Sequence, residues 1–257
     1  MKNKKRFFKY GIKAGFLPAG FLNSIADVKD VTVGHTTKIK GNNIRTGVTI
    51  IDPGIKNLFR SKLPAAFYSG NGMGKITGTV QVEEFGTLEA PIALTNTLAV
   101  GPTLRAMIDL VLSNEKVEKI QTINVVVGEC NDGILNEIHK NSITEKDVFD
   151  AYKNRKKDFE VGNVGAGTGT RCFSWKGGIG TASKLVKVDG KKYTVGVLVQ
   201  TNYGGALEIL GVPVGALLGK TDYKGIIPDT DGSCMMIIAT DAPLTSRQLK
   251  RIARRAV

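Results

Sequence analysis

The chain has 257 residues, of which 42% are hydrophobic and 23% charged, with 31 glycines and a single tryptophan. That length and hydrophobic share are enough for a sizeable core and exclude a disordered chain, and there is no collagen-like or coiled-coil bias. The net charge of +13 is uneven: eleven of the 36 Lys and Arg residues fall in 1–26 and 247–255, stretches without a single acid, so the body is nearly neutral. Basic ends of this kind read as solvated tails and a solvated helix face rather than a phosphate-binding surface.

From the start of the chain, Lys2, Lys4, Lys5 and Arg6 precede an apolar stretch that is short and broken by Lys13 and Pro18. It makes a weak export signal, and no apolar run approaches the roughly 18 residues needed to cross a bilayer. A cytoplasmic protein without membrane contact is therefore expected. Thr46–Asp52 (TGVTIID) is a compact β-branched run that reads as a buried strand. Pro102 can open a helix that places Leu104, Met107, Ile108 and Val111 on one face. Ile123–Gly128 reads as another buried strand, and Thr144, with Asp147 three residues on, starts a helix burying Val148, Phe149 and Tyr152. Leu185–Val188 and Tyr193–Gln200 flank Asp189-Gly190, a strong hairpin signal. Cys234–Thr240 is a further apolar strand, followed after Pro243 by a helix marked by Leu244, Leu249, Ile252 and Ala253. The expected architecture is mixed α/β with antiparallel pairing in one domain spanning 1–257. One strand and one helix are a thin ending for such a domain, so the sequence is expected to be C-terminally incomplete.

Chemistry is then sought among few polar candidates. Cys130, Cys172 and Cys234 are odd in number and far apart, which gives neither a disulfide framework nor zinc-site spacing. No metal or cofactor is expected. The glycine-rich stretch Gly162–Thr170 (GNVGAGTGT) lacks the spacing of a phosphate-binding loop and reads as tight backbone packing. His35 reads as a structural histidine and His139 as the end of a helix, so a hydrolase here would use a base other than histidine.

Asp231-Gly232-Ser233-Cys234 is sharper. A Gly-Ser step into a strand is by itself an ordinary turn, but it also fits an N-terminal nucleophile whose hydroxyl attacks the preceding carbonyl. Cleavage between Gly232 and Ser233 would expose an α-amine of pKa about 7.7–8.0, able to deprotonate its own hydroxyl without histidine or metal. Asn202, in Thr201-Asn202-Tyr203-Gly204-Gly205, is either an Asx-turn residue or an amide donor to an oxyanion. In Glu129-Cys130-Asn131-Asp132-Gly133, Asp132 suits a helix N-cap and Asn131 could face a cleft, while Cys130, with no partner base, reads as a packed thiol.

Taken in order, DVTVGHT (30–36), TGVTI (46–50), SGNGMGKITG (69–78), PIALTNTLAVG (91–101), VVGECNDGILNEI (126–138), GNVGAGTGT with KGGIGTAS (176–183), VQTNYG (199–204) and Asp231–Ser233 resemble the DmpA-like family of L-aminopeptidase/D-amidase-esterases and β-peptidyl aminopeptidases. The resemblance implies a four-layer αββα sandwich akin to N-terminal-nucleophile hydrolases, made as a precursor and assembled as a homo-oligomer. It implies a serine aminopeptidase that hydrolyses the amide bond after the N-terminal residue of small peptides, amino-acid amides or esters. Ser233 matches the self-cleavage and catalytic nucleophile, Gly232 the residue whose carbonyl is released, and Asn202 the oxyanion amide. Asn131 stands where some members place a tyrosine near the oxyanion, and Lys75 where relatives more often carry Glu. Relatives continue beyond the helix at 243–257 into a segment with a second active-site serine and a carboxylate. The rival expectation is accordingly a truncated, inactive member with a structural or assembly role; a nucleic-acid or anionic-surface binder using the basic ends is a third and less favoured one.

Overall fold

The computed structural model describes residues 11–12, 14–114, 120–223 and 232–257. Asp231 and the basic residues Lys2, Lys4, Lys5, Arg6, Lys9 and Lys13 lie outside them.

Two sheets face each other. In the first, β1 (Thr32–Lys40) pairs antiparallel with β2 (Ile44–Asp52), β2 pairs antiparallel with β5 (Ile92–Thr95), and β5 runs parallel to β6 (Val127–Glu129). The second has β10 (Lys191–Asn202) at its centre, with β9 (Gly178–Val188) and β11 (Ser233–Thr240) antiparallel on either side. Two short ribbons complete the strands: β3 (Leu63–Pro64) with β4 (Thr87–Leu88), and β7 (Arg171–Cys172) with β8 (Trp175–Lys176). The helices are α1 (Thr79–Phe85), α2 (Val100–Asn114), α3 (Glu145–Lys153), α4 (Val214–Leu217) and α5 (Ser246–Arg255).

β2 explains the layering. Its apolar residues are buried on both faces, as its unbroken β-branched run requires. Val48 and Ile50 join Ala93 and Val127 in one core against Met107, Leu110 and Val111 of α2 and Val148 and Ala151 of α3. Ile51 joins Val33 and Leu94 in a second core against Ile179 and Leu198 of the other sheet, with Met235, Ile237 and Ala239 packed alongside. Helices, first sheet and second sheet thus stack as three layers. The outer face of the second sheet, which alternation gives to Val195, Val197, Val199, Met236 and Ile238, has no extensive packing against a described α-helix.

Several expectations shift in detail. The strand expected over 123–128 pairs only at Val127–Glu129, because its partner β5 is four residues long. The hairpin is longer than its apolar signal, 178–202, and turns through Asp189 and Gly190, both at positive φ (48° and 77°). The last helix begins at Ser246, where Thr245 and Gln248 form a capping box. His139 ends no α-helix; it lies in a 3-10 turn over Ile138–Lys140. Asp132 caps none either: its carbonyl closes a turn with the N–H groups of Leu135 and Asn136, and its side chain is buried against Asn136 Nδ2. Among the described residues, no helix is long and apolar enough to cross a membrane.

Candidate active site

Ser233, the first residue of β11, stands in register with Asn202, the last residue of β10. Residues directly opposite in an antiparallel pair hold their Cβ atoms about 4.5–5.5 Å apart, so the two side chains meet. Asn202 Nδ2 lies 3.5 Å from Ser233 Oγ. The other end of the amide is held by the Arg171 backbone N–H, which donates to Asn202 Oδ1 at 3.1 Å. A backbone donor must meet the carbonyl oxygen, which turns the NH2 group toward the serine. At 3.5 Å that donor is aimed at the hydroxyl without being saturated by it.

Gly232 enters β11 across Tyr203. A Cβ at 232 would lie 2.2 Å from Tyr203 Cβ and 2.6 Å from its Cα, so only glycine lets the chain pass. Tyr203 is itself braced edge-on against Phe173, ring centroids 4.9 Å apart at 88°.

Beneath the serine lies Cys130, fully buried, its thiol 3.6 Å from the Gln200 carbonyl and facing the Ser233 hydroxyl. Burial pushes this thiol up to about 12, against a smaller opposing pull from the Ser233 hydroxyl. Only a thiolate is nucleophilic, so Cys130 packs rather than attacks. Burial likewise carries Cys234 up to about 11 and Tyr203 up to about 12. All three stay protonated at neutral pH, and none can accept the serine's proton. Gly128 lies where the two sheets approach: a Cβ there would meet Met235 Sδ at 2.9 Å and Leu94 Cδ2 at 3.1 Å, and those side chains would have to shift.

Two residues that sequence reasoning did not single out hold this region. Gln200, wholly buried, donates from Nε2 to the carbonyls of Thr95 (3.2 Å) and Ala166 (2.9 Å), tying β10 to β5 and to the glycine-rich turn. Its signal was a long polar residue inside an apolar strand. Glu129, 3% exposed, accepts from the Lys75 backbone N–H at 3.0 Å and the Thr97 hydroxyl at 2.5 Å, and its charge reaches the Cys130 thiol. Its signal was a carboxylate ending a β-branched run. Asn131 is exposed; its Oδ1 accepts from the Gly133 N–H at 2.8 Å, and it makes no hydrogen bond to Ser233 or Asn202.

The other motifs serve the scaffold. The glycine-rich stretch forms a buried 3-10 turn, Gly165–Gly167, whose N–H groups are taken by Thr37 Oγ1, Thr49 Oγ1 and the Val164 carbonyl, leaving none for a phosphate. His35 has Nδ1 on Thr49 Oγ1 (2.9 Å) and Nε2 on the Glu160 carbonyl (3.1 Å). Burial lowers it to about 4; the Glu160 carbonyl opposes that and the Lys156 charge adds to it. It is neutral, donating from Nε2 and accepting at Nδ1. Among the described residues no three His, Cys, Asp or Glu side chains converge as metal ligands.

The signature described as Peptidase family S58 matches residues 23–257. A beta-peptidyl aminopeptidase BapA of Sphingosinicella microcystinivorans is 38% identical over 261 residues, covering 92% of this chain and 65% of that protein. Its namesake in Sphingosinicella xenopeptidilytica is 39% identical over 259 residues, covering 92% and 64%. The chain thus spans just under two thirds of the length of these curated relatives. Among solved structures, a beta-aminopeptidase of a Burkholderia species superposes with a TM-score of 0.89 at 37% identity, covering 98% of this chain and 71% of its own. A Pyrococcus horikoshii OT3 protein gives 0.89 at 45% identity (96% and 72% covered). The L-aminopeptidase D-Ala-esterase/amidase of Ochrobactrum anthropi, described as a prototype for the serine aminopeptidases and a variant of the Ntn hydrolase fold, gives 0.85 at 34% identity (95% and 69%).

Proposed function

The chain belongs to peptidase family S58, and from that premise we propose that it is a serine aminopeptidase with an N-terminal nucleophile. It hydrolyses the amide bond after the free N-terminal residue of small peptides, amino-acid amides or esters, once cut between Gly232 and Ser233, and it works as a homo-oligomer. The observation that carries this reading is the Asn202 amide, locked by Arg171 at one end and directed at Ser233 Oγ from 3.5 Å at the other.

In self-cleavage the Ser233 hydroxyl attacks the Gly232 carbonyl carbon, the Gly232–Ser233 C–N bond breaks, and the departing nitrogen takes the hydroxyl's proton. Water hydrolyses the resulting ester, leaving a Gly232 carboxylate and a Ser233 α-amine. With a pKa of about 7.7–8.0 that amine is partly neutral near pH 7 and takes the proton from its own Oγ. Oγ then attacks the substrate's acyl carbon, and the charge developing on the acyl oxygen draws in Asn202 Nδ2, a donor left underused in the ground state. The ammonium returns its proton to the leaving amine, and water releases the acyl group. Asn131, whose exposed side-chain Nδ2 makes no hydrogen bond among the described residues, is the second amide at the oxyanion.

Hydrolysis of an aminoacyl p-nitroanilide tests the reading. We expect turnover of the free-amine substrate, none of its N-acetyl form, and none by Ser233→Ala. Equal rates on the acetylated substrate, or undiminished turnover by Ser233→Ala, would contradict it.

A further inference from the structure

Asn202 can serve an oxyanion only if its carbonyl end is held, and the group holding it is a single peptide unit. Thr170 and Arg171 share that unit, which is trans, since the described chain has no cis peptide. In a planar trans unit the C=O and N–H point in opposite directions. The N–H end meets Asn202 Oδ1 at 3.1 Å. At the C=O end, Lys176 Nζ donates to the Thr170 carbonyl at 2.7 Å, and the Gly177 N–H donates to the same oxygen at 3.0 Å. The ammonium also donates to the Gly167 and Gly177 carbonyls, at 2.8 and 2.9 Å, so it is fixed at the middle of the glycine-rich loop. Cross-strand register supports the arrangement, because Lys176 stands opposite Arg171 in the β7–β8 ribbon.

We propose that Lys176 is a positioning residue for the oxyanion donor: its ammonium orients and polarises the Thr170–Arg171 peptide, which in turn orients and polarises the Asn202 amide aimed at Ser233. The physical basis is cooperative hydrogen bonding. A cation on the carbonyl oxygen makes the N–H of the same peptide a stronger donor, and a stronger donor on Asn202 Oδ1 makes its NH2 more positive. Lys176 touches neither Ser233 nor the reacting atoms, and no proton travels along this chain. The inference rests on the reading of Asn202 as the oxyanion amide, but its structural half stands apart from turnover.

The test therefore has two arms, with Lys176→Met removing the charge at similar length, Lys176→Gln as a second neutral variant and Lys176→Arg restoring a cation. In proton–nitrogen NMR spectra of the full chain, the Arg171 backbone amide and the Asn202 side-chain NH2 should shift upfield in both neutral variants. The Arg171 amide should also exchange with solvent at least about tenfold faster, while core amides such as Val48 hold their rates, and Lys176→Arg should recover most of the change. Unmoved Arg171 and Asn202 signals in whichever neutral variant is folded would overturn the proposal. Loss of dispersion in both would overturn it in favour of a plain loop staple. In the kinetic arm, Lys176→Met should lower kcat about tenfold at constant KM, and add nothing once Asn202 is already Ala. Additive losses would contradict action through Asn202. A wild-type chain without turnover would fail the aminopeptidase reading alone, and the spectra would still decide the role of Lys176.

Discussion

His35 and Ser233 are both half-buried polar side chains beside the seam between the two sheets, and they differ in how completely their neighbours use them. Both ring nitrogens of His35 have short partners, in Thr49 and the Glu160 carbonyl. Ser233 meets one long amide contact and a thiol that cannot ionise at neutral pH. A polar group whose capacity is filled contributes to stability and little else. One whose neighbour is held rigidly from behind and left underused in front suits a charge that has yet to appear, the role proposed for the Asn202 amide. The contrast also explains why the rarer residue type, histidine, is the structural one here.

The largest effect that sharpens this contrast is Ser233→Ala. It should lower turnover on the order of 10⁶-fold, as removal of a serine nucleophile does, with the folded state unchanged by circular dichroism. Next is Asn202→Ala, expected to cost about 10²–10³ in kcat with a small change in KM, measured under saturating substrate. A loss confined to KM would make Asn202 a binding residue instead.

His35 should behave in the opposite way, affecting stability and leaving kcat alone. Its folded pKa of about 4 lies below the ordinary imidazole value of about 6.5. The unfolded chain therefore binds the extra proton first as pH falls, and the stabilisation present above about 6.5 is lost progressively until about 4. That amounts to roughly 3 kcal/mol across the window. Denaturant melts of the wild type at pH 7 and pH 4 should show a drop larger than that of His35→Gln by about this amount; parallel drops would make His35 an ordinary exposed imidazole. The smallest effect belongs to Cys130→Ala, which should cost roughly 1 kcal/mol of stability and change kcat less than about fivefold, since the thiol only fills space. Loss of turnover in that variant would reverse the assignment of nucleophile.

Much of this arrangement is legible in the sequence, for identifiable reasons. β2, α2, α3 and the β9–β10 hairpin announce themselves because burial on one face, both faces or around a glycine turn leaves a periodic trace. The eight ordered segments pointed to the family to which the chain belongs. Ser233 and Asn202 could each be singled out, but nothing local reveals that they are cross-strand partners, because register is set by the whole ladder from Val195 to Asn202. Gln200, Glu129 and Lys176 escaped notice for a similar reason. A buried amide, a carboxylate satisfied by Thr97 and a backbone N–H, and a lysine that donates to main-chain carbonyls gain their meaning from the atoms that folding brings to them. His139 and Asp132 erred the other way: each has a residue type that favours helix ends, and the chain simply turns there.

The claim on which the rest depends is that Ser233 is released from Gly232 by its own hydroxyl. Intact-mass spectrometry of the purified protein, beside Ser233→Ala, reads it directly. The account predicts two species, 1–232 and 233–257, in the wild type and one full-length mass in the variant. A single uncut mass in both would contradict it.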